Sequence, residues 1–464
     1  MHQDAINLTA DLIAGKEKIP VDVTYASRYS LLVRYSDSRV YGDGARFSKL
    51  VIHVNGEDCE LGPCRIMSEP NIDGYAGRLV FLEDVYDLED LFLNNRIVKL
   101  QNAFINLPLI LAYKERICEE FKEYTADLTY DLSVYKGIFD DLDLELSAEP
   151  EGIRESIRGA IIDTEGKKFM RYLDERLAEL HGIVGSFNGE EHARHGFYFR
   201  KQLWNYILCS PLLKRTNLKP RGYVGDSVMM RMIYANELQG DSTFSKLMHK
   251  HPLEHAAAQA VRCRRHIIAS MVRSAREHDT GATHGRLKVL SVASGPAIEI
   301  EDILVTAGDC EKYHFALLDQ DRQALMEAAE FIGEIEKRLE AKIKVDYLNE
   351  SVRTMLASPQ LKGRWGEFDF IYSMGLFDYL TPRVASAVVL KLFQLLKPGG
   401  EMIAGNFHTS NPSKYYMEYW ADWVLYHRTE QEFGDLLGNA ASTEIDIFFD
   451  DTGSQMFLHV RKKV

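Results

Sequence analysis

The sequence predicts an open, doubly wound α/β sheet in the last part of the chain, preceded by a helical region and a small antiparallel β-barrel or sandwich. Three observations predict it. From about residue 285 onward, apolar strand-like runs alternate with helical stretches. The first of these runs, Leu287-Lys-Val-Leu-Ser-Val-Ala-Ser-Gly-Pro-Ala297, passes straight into a turn of small residues, and the hydrophobic period changes near residues 105 and 280. The 464 residues, 46% hydrophobic and 27% charged, suffice for two or three domains with cores of their own.

Residues from about 20 to 105 read as β. Ser30-Leu-Leu-Val-Arg-Tyr, Lys49-Leu-Val-Ile-His-Val, Cys64-Arg-Ile-Met and Arg78-Leu-Val-Phe-Leu are short β-branched or aromatic runs. They are separated by turn residues such as Gly42-Asp-Gly, Asn55-Gly and Asn71-Ile-Asp-Gly. The segment 1–105 resembles a PilZ-type barrel, a module that in many bacterial proteins binds a cyclic dinucleotide through an Arg-rich arm and an Asp/Asn-x-Ser-x-x-Gly turn. Here Arg28 and Arg34 are wrongly spaced and no such turn occurs. The resemblance therefore implies a barrel without the ligand motif, serving as a docking module for a protein partner or for self-association.

Between about 106 and 280 the period becomes helical. Leu107 to Phe121, Ile153 to Ile161, Lys168 to Leu180, Phe197 to Leu208, Asp226 to Glu237 and Leu253 to Arg273 carry apolar residues three and four apart. The acidic stretch Tyr124 to Glu155 reads as a solvated face or loop.

From 281 to 464, strands are expected at Leu287–Val292, His314–Leu318, Ile343–Tyr347, Phe368–Ser373, Glu401–Phe407, Glu444–Phe449 and Met456–Val460, with helical stretches between the first five. Such a βαβ succession requires a parallel sheet. The last two strands face each other across Asp450-Asp-Thr-Gly453 and add an antiparallel strand at or near one edge.

In the first loop, the small residues Ala293, Ser294, Gly295 and Ala297, stiffened by Pro296, let the backbone approach a ligand lying over the carboxyl ends of the strands. A dinucleotide site would want Gly-x-Gly-x-x-Gly, and two of the three glycines are absent. Asp319 closes the second strand and is placed to accept both ribose hydroxyls, a role common to NAD and S-adenosylmethionine sites; a plain βα turn is the alternative. Strand three ends in Asp346-Tyr-Leu-Asn349-Glu-Ser-Val352, a polar cluster suited to an adenine edge. Strand four ends in Ser373-Met-Gly-Leu-Phe-Asp-Tyr379, and Leu395-Leu-Lys-Pro-Gly-Gly400 leads into strand five.

At these motifs the sequence resembles the class I S-adenosylmethionine-dependent methyltransferases over roughly residues 285 to 464, and the resemblance implies a Rossmann-like domain with a seven-stranded mixed sheet. By it, Ala293, Ser294, Gly295 and Pro296 cradle the methionine part of the cofactor and Asp319 binds ribose. Gln320 flanks the adenine, and Asn349, Glu350, Ser351 and Val352 face its ring. Ser373 and Gly375 complete the cofactor side, while Phe377 and Tyr379 belong to the substrate side. Ser291 replaces the usual acidic residue of the first strand, and Ala293 and Ala297 replace glycines.

Lys219-Pro-Arg-Gly-Tyr-Val-Gly-Asp226, Met229-Met-Arg-Met-Ile-Tyr and Asn406-Phe-His-Thr-Ser-Asn-Pro412 are similar to a bacterial subgroup often described as acting in 3-hydroxy-fatty-acid methyl ester biosynthesis. That resemblance implies O-methylation of an acyl or hydroxy-acid carboxylate. It also implies a lid over the cofactor, with Tyr223 and Asp226 as contacts; a helix start capped by Asp226 is the alternative.

For the acceptor, a helix is expected from Lys414 to about Tyr426. It places Tyr416, Trp420, Trp423 and His427 on one face as a substrate wall, or as core, and Glu418 and Asp422 as an acidic pair on another. His408, just after strand five, is the candidate for acceptor chemistry because imidazole titrates near neutral pH. Arg428 would hold a carboxylate bidentately or cap the helix. A hydroxyl or protonated amine would need a base, which brings forward His408, Glu418 or Asp378.

The formal net charge of −14 argues against nucleic acid as a partner and for a small-molecule substrate. No secretory signal or bilayer-spanning run is found, so a cytoplasmic location is expected. Six scattered cysteines, at 59, 64, 118, 209, 263 and 310, and the lack of a paired-cysteine or His/Asp cluster argue for no metal. The alternatives to carboxylate methylation are N-methylation of a small amine and a sensor or scaffold that keeps the cofactor without turnover.

Overall fold

The structure is a computed structural model, and it describes residues 8–26, 30–35, 44–54, 57–68, 76–83, 88, 113–278, 285–438 and 443–463. The expected turns at Gly42-Asp43, Asn55-Gly56 and Asn71–Gly74, Arg28, residues 107–112 of the first helical segment and the domain borders near 105 and 280 lie outside those residues.

The β-rich segment forms one antiparallel sheet of eight strands: β1 Leu8–Ala14, β2 Glu17–Ala26, β3 Ser30–Arg34, β4 Arg46–Phe47, β5 Lys49–Val54, β6 Glu57–Leu61, β7 Cys64–Ser68 and β8 Ala76–Phe81. Their order is β4-β7-β8-β3-β2-β1-β5-β6. The sheet starts earlier than residue 20, because Leu8–Ala14 pairs with both β2 and β5. Alternate residues such as Ala10 and Leu12, Ile19, Val21 and Val23, and Leu50 and Ile52 are buried on one face, the period-two pattern of a half-buried sheet. Two side-chain contacts reach the last segment of the chain. Arg353 pairs with Asp11 at 2.6 Å, and Arg34 donates to the carbonyl oxygen of Asn349 at 3.1 Å.

The helical region packs around Phe121, Phe169, Phe199 and Phe244, all fully buried. Its longest helix, Glu119–Leu146, covers most of the acidic stretch expected as a solvated face or loop. The charges do face solvent, but Phe121, Leu128, Leu132 and Phe139 recur at helical intervals and bury the opposite stripe. Among the described residues no helix is long and apolar enough to cross a membrane.

The last segment holds β9 Leu287–Val292, β10 Tyr313–Asp319, β11 Lys344–Asn349, β12 Phe368–Ser373, β13 Leu396–Phe407, β14 Thr443–Phe449 and β15 Gln455–Lys462. Their order is β11-β10-β9-β12-β13-β15-β14, with β9 to β13 parallel and β15 antiparallel between β13 and β14. This is the seven-stranded mixed sheet that the sequence predicts. The chain winds outward from β9 in both directions, so the loops after β9 and β12 diverge and leave a crevice at the carboxyl ends of the strands.

Candidate active site

A cavity of about 340 Å³ opens in that crevice. Its floor is Val292–Pro296 after β9, Leu318–Gln320 at the end of β10, Glu350 and Val352 after β11, and Met374–Leu376 after β12. Its roof comes from the helical region: Tyr223 to Gly225 precede the helix Ser227–Ala235, which supplies Met230 and Tyr234, and Arg264 comes from the helix Ala256–His278. Tyr379, Phe407, Trp423 and Leu425 close one side.

The turn after β9 keeps the shape of a glycine loop with fewer glycines. Ala293, Gly295 and Ala297 all have left-handed φ, at 55°, 53° and 52°. For the two alanines this costs roughly 1–2 kcal/mol each. A Cβ built on Gly295 would meet nothing within 4 Å. Three buried polar atoms of cavity-lining residues have no partner, the Ser294 hydroxyl, Glu350 Oε2 and Arg264 Nε, while Glu350 Oε1 takes Arg364 at 2.6 Å. Such atoms suit a polar ligand that supplies the missing hydrogen bonds.

Asp319 is held by two backbone donors: Gly295 N–H to Oδ2 at 2.8 Å and Asp321 N–H to Oδ1 at 2.9 Å. Burial nevertheless pushes its carboxyl up to about 6. Asp321 caps the helix Arg322–Leu339 and accepts bonds from Arg221 and the Tyr223 hydroxyl, both at 3.0 Å. The loop carrying Arg221 and Tyr223 is thereby tied to the first helical cap after Asp319.

Two charged residues that the sequence did not single out also line the cavity, Glu299 and Arg264. Glu299 opens the helix Glu299–Ile303, is 1% exposed and accepts the Tyr372 hydroxyl at 2.7 Å; burial pushes its carboxyl up. Arg264 donates to the carbonyl oxygen of Met374 at 3.0 Å. Its signal lay in phase, because Ala260, Arg264, Ile268 and Val272 follow each other at four-residue steps on the buried stripe of their helix. Glu299 carried no such signal, since its burial depends on a long-range tyrosine partner.

Near the side closed by Tyr379 and Trp423, Asp378 lines the cavity and accepts the Phe407 N–H at 2.7 Å; burial pushes it up to about 6. Tyr379 lies beside it, with the Trp423 indole N–H donating to its hydroxyl at 2.9 Å. Gly225, at φ +86°, passes so close that a Cβ there would lie 2.5 Å from the Tyr379 hydroxyl oxygen.

Several expected site residues lie outside the cavity lining. The helix expected to reach Tyr426 spans only Lys414–Tyr419, and Asp422, at φ 48°, follows in an extended segment. The aromatic face therefore splits. Trp423 turns to the cavity, whereas Trp420 packs edge-on against Phe199 and Tyr416 bonds to His251 in the helical core. His427 points toward Asn411 and Leu425, with burial pushing it down to about 4. Glu418 is buried in that core, and Asp422 pairs with Arg200 and Lys219 instead of with it.

His408 bonds Ser410 and Glu430 away from the cavity. Arg428 is buried and donates to the carbonyl oxygens of Phe377 and Leu380 and to Asn406, so its donors are used inside the fold. Phe377 is core, against Phe433. Asp226 caps the helix Ser227–Ala235 and pairs with Arg215 at 2.7 Å, and Ser351 caps the helix Val352–Ala357. Asn349 donates to the carbonyl oxygens of Asp319 and Gln320, and Ser373 donates to that of Val292, so both brace the floor from beneath.

No family model and no curated protein matches the chain. It is similar to solved structures. A protein of Bordetella parapertussis described as a possible exported protein is 14% identical, with 65% of this chain and 97% of that chain covered and a TM-score of 0.41. The magnesium protoporphyrin IX methyltransferase of Synechocystis, with bound S-adenosylhomocysteine, is 12% identical, with 45% and 87% covered and a TM-score of 0.33. A SAM-dependent methyltransferase of Methanosarcina mazei is 14% identical, with 40% and 96% covered and a TM-score of 0.30.

Proposed function

We propose that the chain is an S-adenosylmethionine-dependent methyltransferase that acts on a small molecule carrying a proton-bearing hydroxyl or amine. The observation that carries this reading is the cavity itself. It lies at the switch point of a seven-stranded mixed sheet, with a left-handed small-residue turn on one side and a buried carboxylate, Asp319, at the end of the next strand. When bound, the cofactor supplies an electrophilic methyl group on a sulfonium.

The residues present fit that group. Asp319 and the unpaired Glu350 Oε2 are acceptors for ribose hydroxyls and the adenine side, and Gly295 leaves open space for close approach. Glu299 and Arg264, an acidic and a cationic side chain that both line the cavity, complement an amino-acid end with its ammonium and carboxylate. Glu299 thus takes the part of the acidic residue missing at Ser291.

The acceptor side favours a group that must lose a proton. Of the residues expected to position a carboxylate, His408, Arg428 or a tyrosine, the first two are engaged elsewhere, whereas Asp378 lines the cavity with a carboxyl pushed up to about 6. Phe407, Trp423 and Leu425 supply an apolar wall that excludes water and aligns a small acceptor. The first sheet reads as a small barrel that docks on this domain: β4 and β5, separated only by Ser48, pair with β7 and β1, and Asp11 and Arg34 reach the loop beside the cavity.

Incubation with methyl-labelled cofactor and a panel of hydroxy-acids, fatty acids, phenols and amines tests the reading. Stable label on a hydroxyl or amine is expected. Label released as methanol by mild base would mark an ester and overturn the acceptor class. Absence of binding of both S-adenosylmethionine and S-adenosylhomocysteine in calorimetry would overturn the cofactor.

A further inference from the structure

The helical region brings together a donor set that the sequence does not advertise. His251 and His255 stand four apart at the end of the helix Thr243–Glu254, and Asp174 comes from the helix Lys167–Val184. Their atoms meet at nearly equal spacing: His251 Nε2 lies 3.1 Å from Asp174 Oδ1, His255 Nε2 lies 3.2 Å from the same oxygen, and the two Nε2 atoms are 3.3 Å apart. Donors about 2.0–2.1 Å from a tetrahedral zinc ion lie about 3.3 Å from one another, so the triangle matches one face of such a site.

The surroundings match as well. The other ring nitrogen of His251 bonds the buried Tyr416 hydroxyl at 2.6 Å, which fixes the imidazole with Nε2 turned toward Asp174, as partners of metal-bound histidines do. His251 is 3% exposed, His255 24% and Asp174 55%, so a fourth position faces solvent. Among the described residues this is the one group of histidine, cysteine and acidic side chains whose ligand atoms converge this closely.

We propose that Asp174, His251 and His255 bind a divalent transition-metal ion, zinc being the best match to two imidazoles and a carboxylate, with water as fourth ligand. The ion clamps the helices Lys167–Val184 and Thr243–Glu254. Through Tyr416 it also fixes the helix Lys414–Tyr419, which leads to Trp423 at the cavity wall.

The test uses the full chain without a histidine tag, stripped with chelator and titrated with zinc or cobalt(II). Expected are one ion per chain, tetrahedral visible absorption from cobalt and a rise in Tm with zinc. His255→Ala and Asp174→Asn, both at partly exposed positions, should abolish stoichiometric binding while circular dichroism stays unchanged. Tyr416→Phe, which keeps the ring but not the hydroxyl, should weaken zinc roughly 10-fold or more. No ion bound by the parent chain, or the same affinity in the Asp174 and His255 variants, overturns the proposal. Catalytic turnover is not a readout here, so failure of the methyltransferase reading leaves the test intact.

Discussion

Tyr379 donates its hydroxyl proton to the carbonyl oxygen of Val224 at 2.9 Å, a bond that joins one side of the cavity to its roof. Tyr379→Phe keeps the ring in place and removes this bond together with the one from Trp423. A neutral hydrogen bond contributes about 1 kcal/mol, so cofactor and acceptor affinities should each fall roughly 3- to 10-fold. Hydrogen exchange should rise at the amides of Tyr223 to Asp226. Unchanged affinity with unchanged exchange would show that this bond does not hold the roof.

Asp319→Ala should weaken S-adenosylmethionine and S-adenosylhomocysteine by roughly 10- to 100-fold, since hydrogen bonds to charged groups contribute about 1.5–3 kcal/mol. The alanine also strands the N–H groups of Gly295 and Asp321. Asp319→Asn, which keeps an acceptor for one of them, separates lost binding from lost support. Calorimetry beside thermal melts reads both, and parent-like affinity in both variants would remove Asp319 from the site.

The strand positions of the last sheet and the ligand crevice at their carboxyl ends were legible because buried strands and the small-residue turn are local signals. The first strand at Leu8–Ala14 and the helix Glu119–Leu146 were harder to read. In Leu8–Ala14 the alternation covers only five residues before the apolar Ile13 breaks it, and in Glu119–Leu146 acidic side chains outnumber the buried stripe. The part of the cavity lining that lies after β9, β10 and β12 was largely readable, because it hangs on strand ends. The acceptor side was not: the helix stops at Tyr419, so a spacing that would align Tyr416 with His427 on one face scatters them. Arg264 is in phase with the buried stripe of its helix, whereas Glu299 reaches the cavity through tertiary packing alone.

Asp378 should set the acid limb of the pH profile. A base must be unprotonated, so kcat/KM should fall as pH drops below about 6, and Asp378→Asn should lose roughly 100-fold or more. The same residue affects stability. Its folded value of about 6 lies above the ordinary 3.8, so the unfolded chain releases this proton first, and stability falls as pH rises from about 4 to about 6. The difference is on the order of 2–3 kcal/mol for this buried group. Asp378→Asn should therefore be relatively more stable than the parent at neutral pH than at pH about 4, as read by denaturant titration at both. A parent-like rate profile in the variant would remove its role as base.

His408→Ala should leave turnover within about threefold, well short of the ~100-fold loss expected of a general acid–base group. Its ring bonds Ser410 and Glu430 at the surface side of β13. A loss of 100-fold or more, with an unchanged melting curve, would return it to the acceptor site.

Asn349 and Arg353, which hold Arg34 and Asp11 of the first sheet, bracket Glu350 and Val352 of the cavity floor. Linkage runs both ways: whatever free energy a ligand gains from a docked sheet, the sheet gains from the ligand. If the docked sheet adds to ligand affinity, resistance of that sheet to proteolysis should rise as the cavity fills.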